Sequence, residues 1–222
     1  MNTQSTLVLA QGSNPPKKSP TDELSQIWKS LIKLGTKVVL ERKSNLFVAG
    51  DQNKHVYIVI SGYLMLTKNN TLLDVVEPGQ SLGAALLNSG NSKQTYPVSA
   101  KAIDQSELLQ LSAEVAFDLM NSDHSVNEYF IRQFKERMSY LQLCRSIENL
   151  PVTNRIAFFL LQKKSLLKST TITRKMIAQA VNTTPETVIR TLAIFEKQKI
   201  IAYAGRKIIL IDSNHLENLC LS

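Results

Sequence analysis

The spacing of apolar positions changes along the chain, and each change predicts a different kind of element. Behind the cap and first-turn acids Thr21-Asp22-Glu23, the residues Trp28, Leu31 and Ile32 fall at helical intervals, predicting a helix that stops near Gly35. From Thr36 to Leu111 the apolar runs become short: Lys37-Val38-Val39-Leu40, Val56-Tyr57-Ile58-Val59-Ile60 and Tyr63-Leu64-Met65-Leu66. Turn signals at Gly50-Asp51, Ser61-Gly62, Asn69-Asn70 and Pro78-Gly79 separate them. Many short strands at near-regular spacing predict a sandwich or barrel. From Ser112 the period is helical again, with a capped short helix through Met120 and a longer one from about Ser125 to Asn149.

Along the longer helix Ile131, Phe134, Met138 and Leu141 form a coiled-coil-like seam, while Phe130, Leu143 and Ile147 can face the β-domain. Two uses are open for the seam, a monomer core or a second copy. Leu150-Pro151-Val152 breaks the pattern and marks a domain boundary. A helix begins at Thr153-Asn154-Arg155, and its residues Ile156, Phe158, Phe159, Leu160 and Leu161 are placed to pack under the C-terminal helices.

The stretch Ile172 to Ile201 reads as two helices joined by a tight corner. Ile172 caps the first run, in which Met176, Ile177, Ala180 and Val181 share a face, and Asn182-Thr183-Thr184 ends it. Thr184-Pro185 starts the second helix, which runs to about Lys199 with Val188, Leu192 and Phe195 as its buried stripe. Glu186, Thr187, Ile189 and Arg190 are left on or near the other side. Beyond it lies a hairpin with Gly205 at its turn, from Ile200-Ile201-Ala202-Tyr203 to Lys207-Ile208-Ile209-Leu210-Ile211. Two helices, a tight corner and a basic hairpin make a winged helix-turn-helix, whose second helix enters the major groove. Arg190 suits guanine and Glu186 suits cytosine; a surface ion pair at i,i+4 spacing is the other reading of these two.

Charge favours the groove. The chain of 222 residues carries a net +8, and the segment after Pro151 holds eleven Lys and Arg against four acids, so seven of the eight charges lie there. A basic domain beside a near-neutral one is a nucleic-acid footprint. Cys144 and Cys220 form no CxxC pair, and His55, His124 and His215 are scattered and read as surface residues, so neither a disulfide framework nor a metal site is expected. No nucleophile and base set or phosphate loop is present, which argues against an enzyme. No apolar run reaches the length of a membrane span, and a cytoplasmic protein is expected. Residues 1–20, rich in Ser, Asn, Gln, Pro and Lys, read as a disordered arm.

ITRKMIAQAVNTTPETVIRTLAIFEKQKII, from Ile172 to Ile201, resembles the DNA-binding segment of the CRP/FNR family, the regulators related to the cyclic-AMP receptor protein. Glu186, Thr187, Val188 and Arg190 match. Pro185 stands where the family has its first base-reading arginine, a loss of about 1–3 kcal/mol of discrimination, and Asn182 or Thr183 takes the corner, where Asn tolerates a left-handed backbone. Gly50-Asp51, the YIVISG of Tyr57 to Gly62, and Pro78-Gly79-Gln80-Ser81-Leu82-Gly83 resemble the cyclic-nucleotide-binding jelly roll. The nucleotide contacts do not match. The family's glutamate falls on Ala84, its Arg-Ser pair on Gln94 and Thr95, and its adenine-contacting pair on Tyr140 and Leu141. Two lost charged contacts at ~1.5–3 kcal/mol each would remove about 3–6 kcal/mol of binding.

The resemblance thus implies an α+β chain: an N-terminal jelly-roll sensor over 21–124, a dimerisation helix over 125–150 and a C-terminal winged helix-turn-helix over 151–222. It implies a homodimeric, sequence-specific transcription regulator of bacterial type that binds double-stranded DNA, with RNA polymerase as a further partner, no membrane and no cofactor. Base contacts are assigned to Glu186, Thr187 and Arg190, and phosphate contacts to Thr173, Arg174, Lys175, Thr184, Arg206 and Lys207. The residues Gly83, Ala84, Gln94, Thr95, Tyr140 and Leu141 make a degenerate effector pocket, and Ile131, Phe134, Met138 and Leu141 the dimer seam. Control by cyclic AMP is not expected; the expectation is an effector-free or differently liganded regulator. The alternative is a ligand-binding or scaffolding dimer that has lost specific DNA binding.

Overall fold

The structure, a computed structural model, describes residues 31–69, 71–84 and 95–221. The expected arm, the start of the first helix and Gln94 lie outside them. Residues 31–34 are helical and lead into the first strand. Eight strands come next: β1 (Thr36–Leu40), β2 (Asn45–Phe47), β3 (His55–Ser61), β4 (Leu64–Lys68), β5 (Thr71–Val76), β6 (Ser81–Leu82), β7 (Ser99–Ala102) and β8 (Ser106–Ser112). They form two four-stranded antiparallel sheets in the orders β1-β8-β3-β6 and β2-β7-β4-β5.

β3 explains why its run is apolar throughout. Tyr57 and Val59 point between the sheets, toward Phe47, Leu64, Leu66, Val76, Tyr96 and Leu108, whereas Val56 and Ile58 point outward. On that outer side they meet Ala116 of helix α1 (Ala113–Ser122) and Val126, Tyr129 and Phe130 of helix α2 (His124–Ser146). Successive residues of a strand face opposite ways, so a strand covered on both faces needs apolar residues at every step. Ser112 caps α1 and the Asp123 carboxylate caps α2, accepting from the amides of Ser125 and Val126. The Tyr129 hydroxyl donates to the Gly79 carbonyl at 2.9 Å, which pins α2 to the β5–β6 turn.

Past Pro151 come α3 (Val152–Gln162), α4 (Lys164–Ser169), α5 (Arg174–Ala180), α6 (Pro185–Lys197), the hairpin β9 (Ile201–Ala204) and β10 (Lys207–Leu210), and α7 (Ser213–Leu221). The last of these, which packs on α3 through the fully buried Leu216, has no counterpart among the elements expected from the sequence. Two boundaries also differ from expectation. α2 ends at Ser146 and α6 at Lys197, where Lys199 takes a positive φ of 58°.

The C-terminal core does not close on itself. Ile156, Leu160, Met176, Ile177, Leu192 and Phe195 pack in one cluster with Tyr63, Leu72, Val75 and Ile103 of the β-domain, and α5 lies on β5. At the rim of this shared core the ammonium of Lys163, whose side chain is 8% exposed, donates to Asp74 Oδ1 at 2.8 Å and to the Val75 carbonyl at 3.3 Å. Arg137 of α2 reaches the other carboxylate oxygen at 3.5 Å, and the Tyr140 ring lies 4.5 Å from the ammonium. One carboxylate thus holds cations from two further elements. Truncating it would strand a buried charge, so Asp74→Ala is expected to lower stability by about 3–5 kcal/mol in urea unfolding. An unchanged midpoint would show that the pair contributes nothing.

Candidate nucleic-acid interface and sensor pocket

α6 forms because its first turn is satisfied and its stripe is apolar. The Thr184 hydroxyl accepts from the Thr187 amide at 3.3 Å, Pro185 occupies the first helical position where its missing N–H costs nothing, and Val188, Thr191, Leu192 and Phe195 are buried. Its outer face carries Glu186, Arg190, Ala193 and Lys197, all exposed. Arg190 sends a guanidinium nitrogen to the Thr187 hydroxyl at 3.5 Å, and no ion pair joins it to Glu186 among the described residues. Both ends of the predicted base-reading pair are therefore open to a ligand.

The corner before α6 is held from two sides. Asn182 adopts a φ of 52°, the left-handed backbone expected there, and the Thr183 amide bonds back to the Ala178 carbonyl at 2.9 Å. Arg155 of α3 donates to the carbonyls of Val181 at 2.7 Å and Asn182 at 3.5 Å. In the sequence Arg155 registers only as charge; its partners are 26 and 27 residues away, and no local signal marks them. The first helix, α5, is capped by Thr173, which accepts from the Met176 amide, and not by Ile172, which is 2% exposed and belongs to the core.

The residues assigned to phosphates divide by what else they do. The Lys207 ammonium donates to the carbonyls of Lys168 and Ser169 at 3.3 and 3.1 Å, capping the end of α4. The Arg174 guanidinium lies 5.1 Å from the Tyr203 ring, tying α5 to the hairpin. Thr173 and Thr184 are the two helix caps, so their hydroxyls are already accepting from amides. Lys175 and Arg206 are exposed, and neither side chain makes an ion pair among the described residues. Arg206 sits at the tip of the hairpin beside Gly205, whose φ is 60°.

In the β-domain the space between the sheets is filled from within. Phe47 and Tyr96 stack at 3.7 Å with nearly parallel rings, and the Tyr96 hydroxyl donates to the His55 carbonyl at 2.7 Å. Burial raises the Tyr96 phenol well above its ordinary range, so it stays a neutral donor. Gly83 has a φ of 82°, and a Cβ there would meet the same carbonyl at 2.7 Å. His55 is half-buried, not a surface residue.

The expected pocket residues are not gathered into one site. Ala84 and Tyr140 both line a cavity of about 940 Å³ between the β5–β6 turn, α2 and the α3–α4 junction, together with Asp74, Phe130, Arg137 and Lys163. Leu141 is 43% exposed and outside that lining, and neither Gly83 nor Thr95 belongs to it. The seam residues Ile131, Phe134, Met138 and Leu141 are all exposed large apolar side chains. Among the described residues no group of three or more His, Cys, Asp or Glu could hold a metal ion, and no helix is long and apolar enough to cross a membrane.

Residues 37–123 match the model of the cyclic nucleotide-binding domain and residues 154–219 that of the Crp-like helix-turn-helix domain. The nitrogen fixation regulation protein FixK of Azorhizobium caulinodans is 25% identical over 220 residues, spanning 89% of this chain and 84% of that protein. Among solved structures, FixK2 of Bradyrhizobium japonicum superposes with a TM-score of 0.72 at 19% identity, over 84% of this chain and 97% of the other. TTHB099, a CRP-family transcriptional regulator of Thermus thermophilus, gives 0.67 at 21% identity over 83% and 97%. At such identities the superpositions speak for the fold.

The left-handed corner gives a direct test of the local geometry. Asn182→Gly should leave stability unchanged or slightly higher, because glycine reaches this backbone freely, whereas Asn182→Val should cost about 1–2 kcal/mol. Equal urea midpoints for the two variants would contradict the corner as described.

Proposed function

Because the chain belongs to the CRP/FNR family of DNA-binding transcription regulators, we propose that it reads a two-fold symmetric DNA site as a homodimer and does so without cyclic AMP. The observation that carries the reading is the outer face of α6, where Glu186 and Arg190 are exposed and unpaired with each other on a helix whose opposite side is fully packed. A carboxylate and a guanidinium one turn apart match the donor and acceptor edges of a C·G pair. The positive end of the α6 dipole, with the Thr184 and Thr187 hydroxyls beside it, favours a phosphate at the same place. Lys175 and Arg206 extend the phosphate contacts to either side, with RNA polymerase as the machinery on which the bound protein acts.

The dimer is supported by the four exposed apolar residues of α2. Their spacing of three, four and three is that of a knobs-into-holes seam, and the described residues leave all four exposed. Two-fold pairing along α2 sets two recognition helices against half-sites about 34 Å apart. Independence from cyclic AMP is supported by Ala84, which offers no carboxylate to a ribose, and by the Phe47–Tyr96 stack, which occupies the interior of the roll.

Selection from randomised duplex DNA by the purified protein, with no nucleotide added, tests the whole reading: an enriched palindrome is expected, and no enrichment would remove it. On the selected site Arg190→Ala should relax the preference at one base pair by about 1–3 kcal/mol. Arg206→Ala should weaken all sequences alike and reduce the salt slope by about 1. Phe134→Glu should shift the sedimenting species from dimer to monomer; an unchanged dimer would place the interface elsewhere.

A further inference from the structure

The outward half of α6 carries an apolar residue that the described residues leave more than half exposed. Ile189 is 55% exposed, and it is the fifth residue of α6, between Glu186 and Arg190. Around the helix it stands about 60° from Glu186 and 100° from Arg190, and about 6 Å along the axis from Pro185. A single exposed isoleucine on a protein surface needs no explanation. One placed in the first two turns of a recognition helix, on the flank of the outer face beside Glu186, comes against the groove when Glu186 and Arg190 make their contacts.

The major-groove edges of the four base pairs are donors and acceptors with one exception, the C5-methyl group of thymine. A branched aliphatic side chain beside polar readers has that methyl as its one apolar partner there. Isoleucine is also suited by stiffness, since in a helix it is held in one strongly preferred χ1 rotamer and loses little freedom on docking. Ile194 is as exposed, at 54%, but lies five residues further on, past the first two turns and on the other flank of the outer face.

The geometry points to Ile189 as a specificity-determining residue that reads a thymine methyl next to the base pair contacted by Arg190 and Glu186. This rests on α6 entering the major groove. It adds to that reading an apolar determinant, and it makes the preferred half-site depend on one thymine through a group that forms no hydrogen bond.

Replacing each thymine of the selected duplex in turn by deoxyuridine removes the methyl group and keeps the base pair, and fluorescence anisotropy then measures affinity for wild-type protein and Ile189→Ala. One thymine per half-site is expected at which the wild type weakens about fourfold, the equivalent of one buried carbon. Ile189→Ala should bind the thymine and deoxyuridine versions of that site equally, with a urea midpoint like that of the wild type because the side chain is exposed. If the wild type is indifferent to every replacement, or if Ile189→Ala loses as much as the wild type at the same thymine, the assignment is overturned. Binding of the duplex with no methyl effect sinks the Ile189 role alone, whereas a wild type that retains no duplex sinks the DNA reading and this inference with it.

Discussion

The Asp74–Lys163 ion pair is where the three parts of the molecule meet. Asp74 belongs to the β-domain, Arg137 and Tyr140 to the long helix and Lys163 to the α3–α4 junction of the C-terminal helices, and all four side chains are within contact of one another or of a shared partner. A lysine this buried is tolerated only when its charge is met. The carboxylate, the Val75 carbonyl and the Tyr140 ring together meet it. Such a pair adds little net stability compared with an apolar filling, but it accepts one geometry and rejects others. Moving α3 relative to β5 separates two buried charges, so the domain angle is a property of this contact as much as of the backbone at Pro151.

The parts of the fold that are legible in the sequence are those whose causes are local. A glycine or asparagine with positive φ at a turn, a threonine before a proline, and apolar residues at helical spacing each act over a few residues, and the roll, the corner at Asn182 and the two helices of the DNA-binding unit lie where these signals put them. The features that escape depend on partners distant in the chain. Lys207 is indistinguishable from any other wing cation until the carbonyls of Lys168 and Ser169 are placed beneath it. Arg155 carries no mark of its bonds to Val181 and Asn182, and Phe47 and Tyr96, 49 positions apart, give no hint of stacking. α7 escapes for another reason: its stripe is short and its N-terminal cap is a single aspartate, Asp212, which accepts from the His215 amide.

The candidate interface shows the same division. Its polar residues fall into those that build the platform and those left over to meet a ligand. Thr173, Thr184, Arg174, Arg155 and Lys207 are occupied in capping helices, stacking on Tyr203 or closing the corner, and this makes the platform rigid before any DNA arrives. Glu186, Lys175, Arg190 and Arg206 are the groups with unspent capacity. A rigid platform holding few free groups gives up little conformational freedom on binding, which suits a recognition surface that has no arginine at the first helical position.

The core shared between the β-domain and the C-terminal helices has a consequence for modularity. Tyr63, Leu72, Val75 and Ile103 come from strands and loops that precede the long helix, yet they complete the packing around Ile156, Met176 and Phe195. The segment after Pro151 is therefore not a transferable cassette. Grafted behind another sensor, it would keep its folded shape only where that sensor presents apolar side chains at the same four places and a carboxylate for Lys163. In this chain sensor and reader are thus one packing unit, and neither surface is finished without the other.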